Sequence, residues 1–590
     1  MFKIRVYQGE NEKIITAGKG ENLLELLLQN SYIIDSPCGG MGICGKCRVK
    51  IIDEFAENTQ YRLACKTIID QDMTVEIPDI HERAAQIVTE GEVNTAVNPS
   101  VKKRAVELKS PDIQEQISDV EQIESSIGAI GSMPNDIMPH ISNVLRSSDF
   151  KVTVAVYENQ ILSVEPYNTE NKKYGIAVDI GTTTIVGYLM NLSTGEQIGV
   201  YSSLNPQSKY GADVITRIDY TLNSNGLTQM TDLIRNAINR MINHFCQKYE
   251  IAAENIYEID IVGNTVMMHI FAGLPVKNIA LSPFVPVVCR KIEFTAKDID
   301  INICSGGKVV ILPSISSYVG ADAAAAALAC NMHKSEKVNL LIDIGTNGEI
   351  VLGSKTNMLV CSTAAGPAFE GARIECGLGG VQGAINRVFI DDNITYSTIG
   401  GASARGICGS GIIDVTAQML KAGLLEPSGR MLTPKEVLEK FPSNISDKMF
   451  LKHEQPALLL KKGENDNSQD IYISQKDIRE VQLAKAAIAA GIAILMKEMS
   501  ISYNDISCVY LTGGFGNYMD YRNALKIGLI PEAFRDKIYT IGNGAGMGAK
   551  IALLSKDGKA ETEIIKEKAK YIELSAREDF QEYFIDFLNF

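Results

Sequence analysis

Apolar and polar residues alternate through residues 2–8 and again through 13–17, on either side of Gly9-Glu10-Asn11, and this pattern predicts a β-hairpin. Glu21 to Asn30 then carries Leu23, Leu26 and Leu27 at helical spacing, and Cys47–Ile52 and Met73–Ile77 read as strands. Residues 1–81 are therefore expected to form one small mixed α/β unit. Residues 82–96 hold no sustained apolar pattern and read as a linker. A second small α+β unit is expected over 97–168. It has a polar, helix-prone stretch through Glu124, then Lys151–Val156 and Gln160–Val164 flanking Glu158-Asn159 as a hairpin. No chemistry is evident in it.

From Tyr174 to about Gly558 short apolar strands alternate with longer helical patterns, so residues 173–590 read as an α/β domain. Two strand starts within it are near copies: Gly175 to Asp179-Ile-Gly181-Thr182-Thr183-Thr184, and Leu340 to Asp343-Ile-Gly345-Thr346-Asn347-Gly348. Each is an apolar run, then Asp-Ile-Gly-Thr, then a second apolar run (Ile185–Met190; Glu349–Leu352). That order predicts two β-hairpins from an internal duplication, and it separates both from a strand feeding a helix, as in a Rossmann turn or a P-loop.

Composition narrows the class. With 590 residues the chain is long enough for about three to five structural units. A formal charge of -14 repels a polyanion, so nucleic acid is not an expected partner. The first residues lack the apolar core of a secretory signal, and the longest apolar run, Ala486 to Met496, falls short of the roughly 18 residues of a membrane span. A cytoplasmic protein without membrane association is the expectation. Twelve cysteines in that compartment are better metal ligands than disulfides where they cluster.

Four do cluster. Cys38, Cys44, Cys47 and Cys65 follow C-x5-C-x2-C-x17-C, with Gly39, Gly40, Gly42 and Gly45 between them. Four thiolates are what a 2Fe-2S centre requires, and glycine lets the backbone approach it closely. Structural zinc also takes four cysteines, usually as two tight pairs, whereas Cys38 and Cys65 have no near partner. The stretch Pro37 to Cys47 with Arg62-Leu63-Ala64-Cys65 resembles the 2Fe-2S ferredoxins, the first gap being similar to the adrenodoxin-like spacing.

The duplicated hairpins have the ingredients for a nucleoside triphosphate and Mg²⁺. A carboxylate at the strand end can hold the ion's water shell, glycine frees backbone N–H groups for phosphate oxygens, and hydroxyls add donors. A tight turn between buried strands is the plainer reading of one copy; two copies favour a clamp. Leu511-Thr-Gly513-Gly514 and Gly542-Asn-Gly544 are further glycine loops, the first able to line an adenosine. Together these segments resemble the superfamily of acetate kinase, sugar kinases, heat-shock chaperone ATPases and actin, which implies two ribonuclease-H-like halves with ATP in the cleft. Gly348 to Lys355 approximates a Walker loop, but its lysine falls one place late.

A ferredoxin fused to such an ATPase resembles the reductive activators of corrinoid proteins. Asn205-Pro206-Gln207, Gly263-Asn264-Thr265, Ser362 to Gly371 and Gly406 to Gly411 are also similar to that family. The resemblance implies a multidomain α/β chain: a β-grasp 2Fe-2S ferredoxin domain, linker, small α+β middle domain and duplicated ATPase domain. It implies ATP-driven transfer of an electron from the cluster to cob(II)alamin on a corrinoid protein, fed by an upstream low-potential donor. Asp179 and Asp343 would serve Mg²⁺ and phosphates, with Gly181, Thr182, Thr183, Thr184, Gly345, Thr346 and Asn347 around them. Gly513 and Gly514 would line the adenosine, and Glu349 is a candidate for positioning water. A homodimer is one compatible assembly. The alternative is a small-molecule kinase with a redox-regulatory ferredoxin domain. His269, the Cys408-Gly409-Ser410-Gly411 turn and the scattered cysteines are expected to be packing residues.

Overall fold

A computed structural model describes the chain apart from residues 9–10, 31, 33–46, 53–58, 78–94, 129–132, 136, 212, 346, 367, 372, 464–468 and 514–518. Phe2–Gln8 pairs antiparallel with Asn11–Ala17 and parallel with Met73–Ile77, and Arg48–Ile52 and Thr59–Leu63 complete a five-stranded sheet. The expected hairpin is present, with its second strand starting at Asn11. Helix Leu23–Gln29 lays Leu23, Leu24 and Leu27 over Ile4, Val6 and Val75, and these side chains form the core of this unit.

Val101–Glu107, Lys151–Tyr157 and Gln160–Pro166 make a three-stranded antiparallel sheet. The stretch expected to be helical through Glu124 divides instead: Val101–Glu107 is a strand and the helix spans Asp119–Ile127. Tertiary pairing overrides helical propensity here. The Lys103 ammonium, 1% exposed, bonds Glu165 at 2.7 Å and the Tyr257 hydroxyl at 2.9 Å, which ties the strand to the neighbouring lobe. Ser118 starts the helix by accepting from Glu121 N, and Gly128, at φ 63°, ends it in the left-handed region.

The remainder builds two lobes around two six-stranded sheets. In the first, Tyr174–Ile180 pairs antiparallel with Thr184–Asn191 and parallel with Ile256–Gly263. In the second, Val338–Ile344 pairs antiparallel with Gly348–Gly353 and parallel with Ile506–Thr512. The near-copied sequences thus occupy equivalent places, and both are hairpins. Small sheets built on Ala384–Ile390 and Gln455–Lys461 are added to the second lobe.

Between the sheets, helices Ala321–Ala329 and Gly544–Leu554 pack against each other. Their approach needs glycine: a Cβ on Gly548 would lie 1.9 Å from the Ala325 carbonyl oxygen. Helix Lys556–Lys568 sends Lys559 onto Glu258 and Asp260 of the first lobe's strand Ile256–Gly263, at 2.8 Å from Asp260 Oδ1, with all three side chains buried. Among the described residues no helix is long and apolar enough to cross a membrane.

Candidate functional site

Asp179 closes the strand Tyr174–Ile180, and the turn behind it is tightened by Gly181 N donating to Thr184 O at 2.9 Å. Three successive carbonyls of this turn are held from behind. Asn205 donates its Nδ2 to Gly181 O and its N to Thr183 O, both at 2.9 Å, and the Arg217 guanidinium takes Thr182 O. In the second hairpin Gly345 N donates to Asn347 O at 3.1 Å. Thr346 and Gly514 lie outside the described residues.

The two hairpins face one cavity of about 160 Å³, whose wall includes Asp179, Thr182, Thr183, Asp343, Asn347 and Glu349. Gly181, Thr184, Gly345 and Gly513 line it as well. Asn543, capping the helix Gly544–Leu554, donates from Nδ2 to Asp179 Oδ2 at 2.9 Å. Asn264, capping Thr265–Ala272, donates from Nδ2 to Thr182 Oγ1 at 3.1 Å. From the second lobe Glu370 accepts a 3.1 Å bond from Thr183 Oγ1, so the lobes touch across the cavity. Gly513 sits at the hairpin end: at φ 108° its missing Cβ would be 2.7 Å from Asp343 Oδ1. No other residue fits there.

Asp322, one residue into the helix Ala321–Ala329, is a further half-buried carboxylate in the wall and has no counterpart in the sequence reading. Its signal is weak, a lone acid in an alanine run. Asn264, Asn205 and Glu370 lie in segments noticed only as family-like, and Arg217 and Asn543 are brought in by tertiary packing. Burial pushes Asp179 up to about 7, Asp322 up to about 6 and Asp343 up to about 8; Asp322 and Asp179 add repulsion to Asp343. Glu349 is raised well above the usual range by burial and by Asp322 and Asp343. So many acids in one buried space ionise together only against a cation. Among the described residues no three His, Cys, Asp or Glu side chains converge tightly enough to chelate an ion. That donor set fits Mg²⁺, which keeps most of its water and binds through one or two carboxylates and phosphate oxygens.

At the other end of the chain, Cys47 and Cys65 bring their sulfurs to 3.2 Å, too far for a disulfide and close enough to share one iron. Cys38 and Cys44 lie outside the described residues. The pair fits a 2Fe-2S cluster. The other motifs are structural, as expected. His269 Nε2 accepts from the Val287 and Val288 backbone N–H groups, and a Cβ on Gly411 would stand 2.1 Å from Ile385 O, so Cys408-Gly-Ser-Gly is a packed turn.

Comparison with known proteins agrees with this layout. Residues 6–70 match the family model for a 2Fe-2S iron-sulfur cluster binding domain, 91–171 the RACo linker region, 174–335 the RACo middle region and 337–590 the C-terminal domain of RACo, the ASKHA domain. The corrinoid activation enzyme RamQ of Eubacterium limosum is 34% identical over 557 residues, covering 93% of this chain and 92% of its own. The Co(II) methylated amine-specific corrinoid protein reductase of Methanosarcina barkeri is 24% identical over 446 residues, 70% of this chain and 76% of its own. A solved structure of a reductive activator for corrinoid, iron-sulfur protein superposes with a TM-score of 0.76 at 30% identity, over 99% of this chain and 98% of that one. The fold and the two sites define an iron-sulfur protein fused to an ASKHA ATPase, with a 2Fe-2S cluster, ATP and Mg²⁺ as its cofactors. Within that class the chain belongs to the family of corrinoid reductive activators.

Proposed function

We propose that the protein reactivates a corrinoid protein, passing one electron from its 2Fe-2S cluster to cob(II)alamin and drawing the driving force from ATP hydrolysis. The observation that carries the reading is the union, in one chain, of a ferredoxin cysteine pair with a carboxylate-lined cleft between duplicated hairpins. When bound, the cluster supplies a one-electron donor, held by Cys38, Cys44, Cys47 and Cys65. Asp179 and Asp343 would hold Mg²⁺, and the turns at Gly181 to Thr184 and Gly345 to Asn347 would bind the phosphates. Gly513 and Gly514 would line the adenosine. Asp322 and Glu349, both lining the cavity, are the candidates for orienting an attacking water.

Cob(I) is a low-potential species, and each 100 mV of uphill gap costs about 2.3 kcal/mol per electron. ATP can close that gap only if its bound and hydrolysed states favour different arrangements of the partner. Thr183 and Glu370, bonded across the lobes, would sense that change. The protein so described is cytoplasmic, takes its electron from an upstream low-potential donor, and could work as a homodimer. The alternative of a small-molecule kinase is not favoured, because relatives that align along nearly the whole chain are named for corrinoid activation.

The test is anaerobic. Cluster-loaded, reduced protein is mixed with candidate corrinoid proteins, with and without ATP, and the cobalt absorption is followed. An ATP-dependent cob(I) signal is expected; its absence with every partner removes the proposal.

A further inference from the structure

The cavity wall is crowded with acids and contains neither Lys nor Arg among the described residues. A triphosphate brings further negative charge to a wall formed by Asp179, Asp322, Asp343, Glu349 and Glu370. A buried cation stands behind the wall. Arg217, on helix Val214–Thr221, is 0% exposed, and every one of its described hydrogen-bond partners is neutral. Its Nε donates to Gly211 O at 3.0 Å, Nη1 to Gln207 Oε1 at 3.4 Å and to Met267 Sδ at 3.3 Å, and Nη2 to Thr182 O. Burial lowers its pKa to about 10, so it stays charged at neutral pH; Glu370 is the first carboxylate to oppose that shift and Asp213 the second.

A buried guanidinium whose described hydrogen bonds all go to neutral groups is costly, and packing alone would be better served by an apolar side chain. Its geometry gives it a use. In a trans peptide the C=O and N–H point in opposite directions. By drawing the Thr182 carbonyl towards itself, Arg217 aims the Thr183 N–H the other way, towards the cavity, and polarises that peptide as a donor. Asn205 holds the flanking carbonyls of Gly181 and Thr183 from the same side. The turn is thereby oriented as a set of backbone donors with a positive charge directly behind it.

We infer that Arg217 is a positioning residue for the ATP phosphates: through the Thr182 carbonyl it fixes the first phosphate hairpin, and its positive charge offsets the acids of the cleft. This rests on the reading of the cleft as the ATP site. Gln207 offers a probe that leaves the arginine in place: Gln207→Glu sets a carboxylate against the guanidinium and cancels its field, at the cost of the 3.0 Å bond that Gln207 Nε2 donates to Met230 O.

The experiment measures KM for MgATP, kcat for ATP hydrolysis and melting temperature in the full, cluster-loaded chain for wild type, Arg217→Gln, Arg217→Lys and Gln207→Glu. Arg217→Gln is expected to raise KM by about tenfold or more, the worth of one charge-assisted bond, with a smaller change in kcat, and Arg217→Lys to recover part of the loss. Gln207→Glu is expected to raise KM by a similar factor, its melting temperature reporting separately the cost of the lost bond to Met230 O. Should Arg217→Gln fail to fold, Gln207→Glu decides alone. A wild-type KM in Gln207→Glu overturns the inference, whatever Arg217→Gln does. Asp343→Ala runs as the control: if it binds MgATP as wild type does, the cleft reading itself fails, and that outcome is distinct from the first.

Discussion

Two acids compete for the role of orienting the attacking water, and their surroundings separate them. Glu349 projects from a strand and is bonded by the Asn347 side chain, so its carboxyl is already committed to the second hairpin. Asp322 stands at the start of the helix Ala321–Ala329, its described hydrogen bonds confined to the local backbone, and it faces the cavity from between the lobes. Asp322→Asn is therefore expected to lower kcat for ATP hydrolysis by about a hundredfold at little cost in KM, with Glu349→Gln milder. Steady-state kinetics on the two variants check this, and a larger kcat defect in Glu349→Gln reverses the assignment. The contrast shows what sequence can and cannot display at this scale. The four cysteines and the two Asp-Ile-Gly-Thr turns announce themselves because their chemistry is contiguous in the chain. Asp322, Asn543 and Arg217 are single residues in helix-forming or glycine-rich surroundings, and only the fold sets them against the hairpins.

Among the elements, the long helix Gln475–Met499 anchors the end of the chain, and it carries a titratable group whose sign can be worked out. Lys485 donates to the Asn589 carbonyl and lies over the Phe590 ring, Gln482 Nε2 reaches Leu588 O at 2.8 Å, and Phe590 N donates to Pro427 O at 2.8 Å. Burial lowers the Lys485 pKa to about 8. Between that value and about 10.4, its ordinary value in an unfolded chain, the unfolded state holds a proton that the native state has released. Stability contributed by this site rises with pH across that window. The stability of wild type relative to Lys485→Met should grow by roughly 2–3 kcal/mol from pH 8 to 10.5, seen in denaturant melts at several pH values. A flat difference means that the ammonium is not desolvated. Element boundaries were legible where one periodicity dominates, as in the two hairpins and the first helix. Val101–Glu107 was not, because its lysines and arginine suit a helix as well as a strand, and what decides is Lys103 reaching Glu165 and Tyr257, partners far along the chain.

For the whole molecule, the electron site and the phosphate site are built from separate stretches of chain, so each can be disabled without chemical damage to the other. Cys65 lies on a short helical turn beside Cys47 and contributes nothing to the cleft, whose wall begins at Asp179. In Cys65→Ser the visible absorption of the cluster should fall or shift while basal ATP hydrolysis stays within about twofold of wild type, and ATP-driven cob(I) formation should vanish. Chelation of Mg²⁺ should do the reverse. Hydrolysis and cob(I) formation stop, the cluster spectrum stands, and both activities return on adding Mg²⁺, since the cluster thiolates are soft ligands and the cleft carboxylates hard ones. If the serine variant loses its ATPase too, the sites are not separable, and the division of labour between them has to be redrawn. If instead each lesion spares its opposite site yet both abolish cob(I), then the coupling belongs to the connection between them. The bonded pair Thr183 and Glu370, and the arginine behind it, are where a phosphate would first be felt by both lobes.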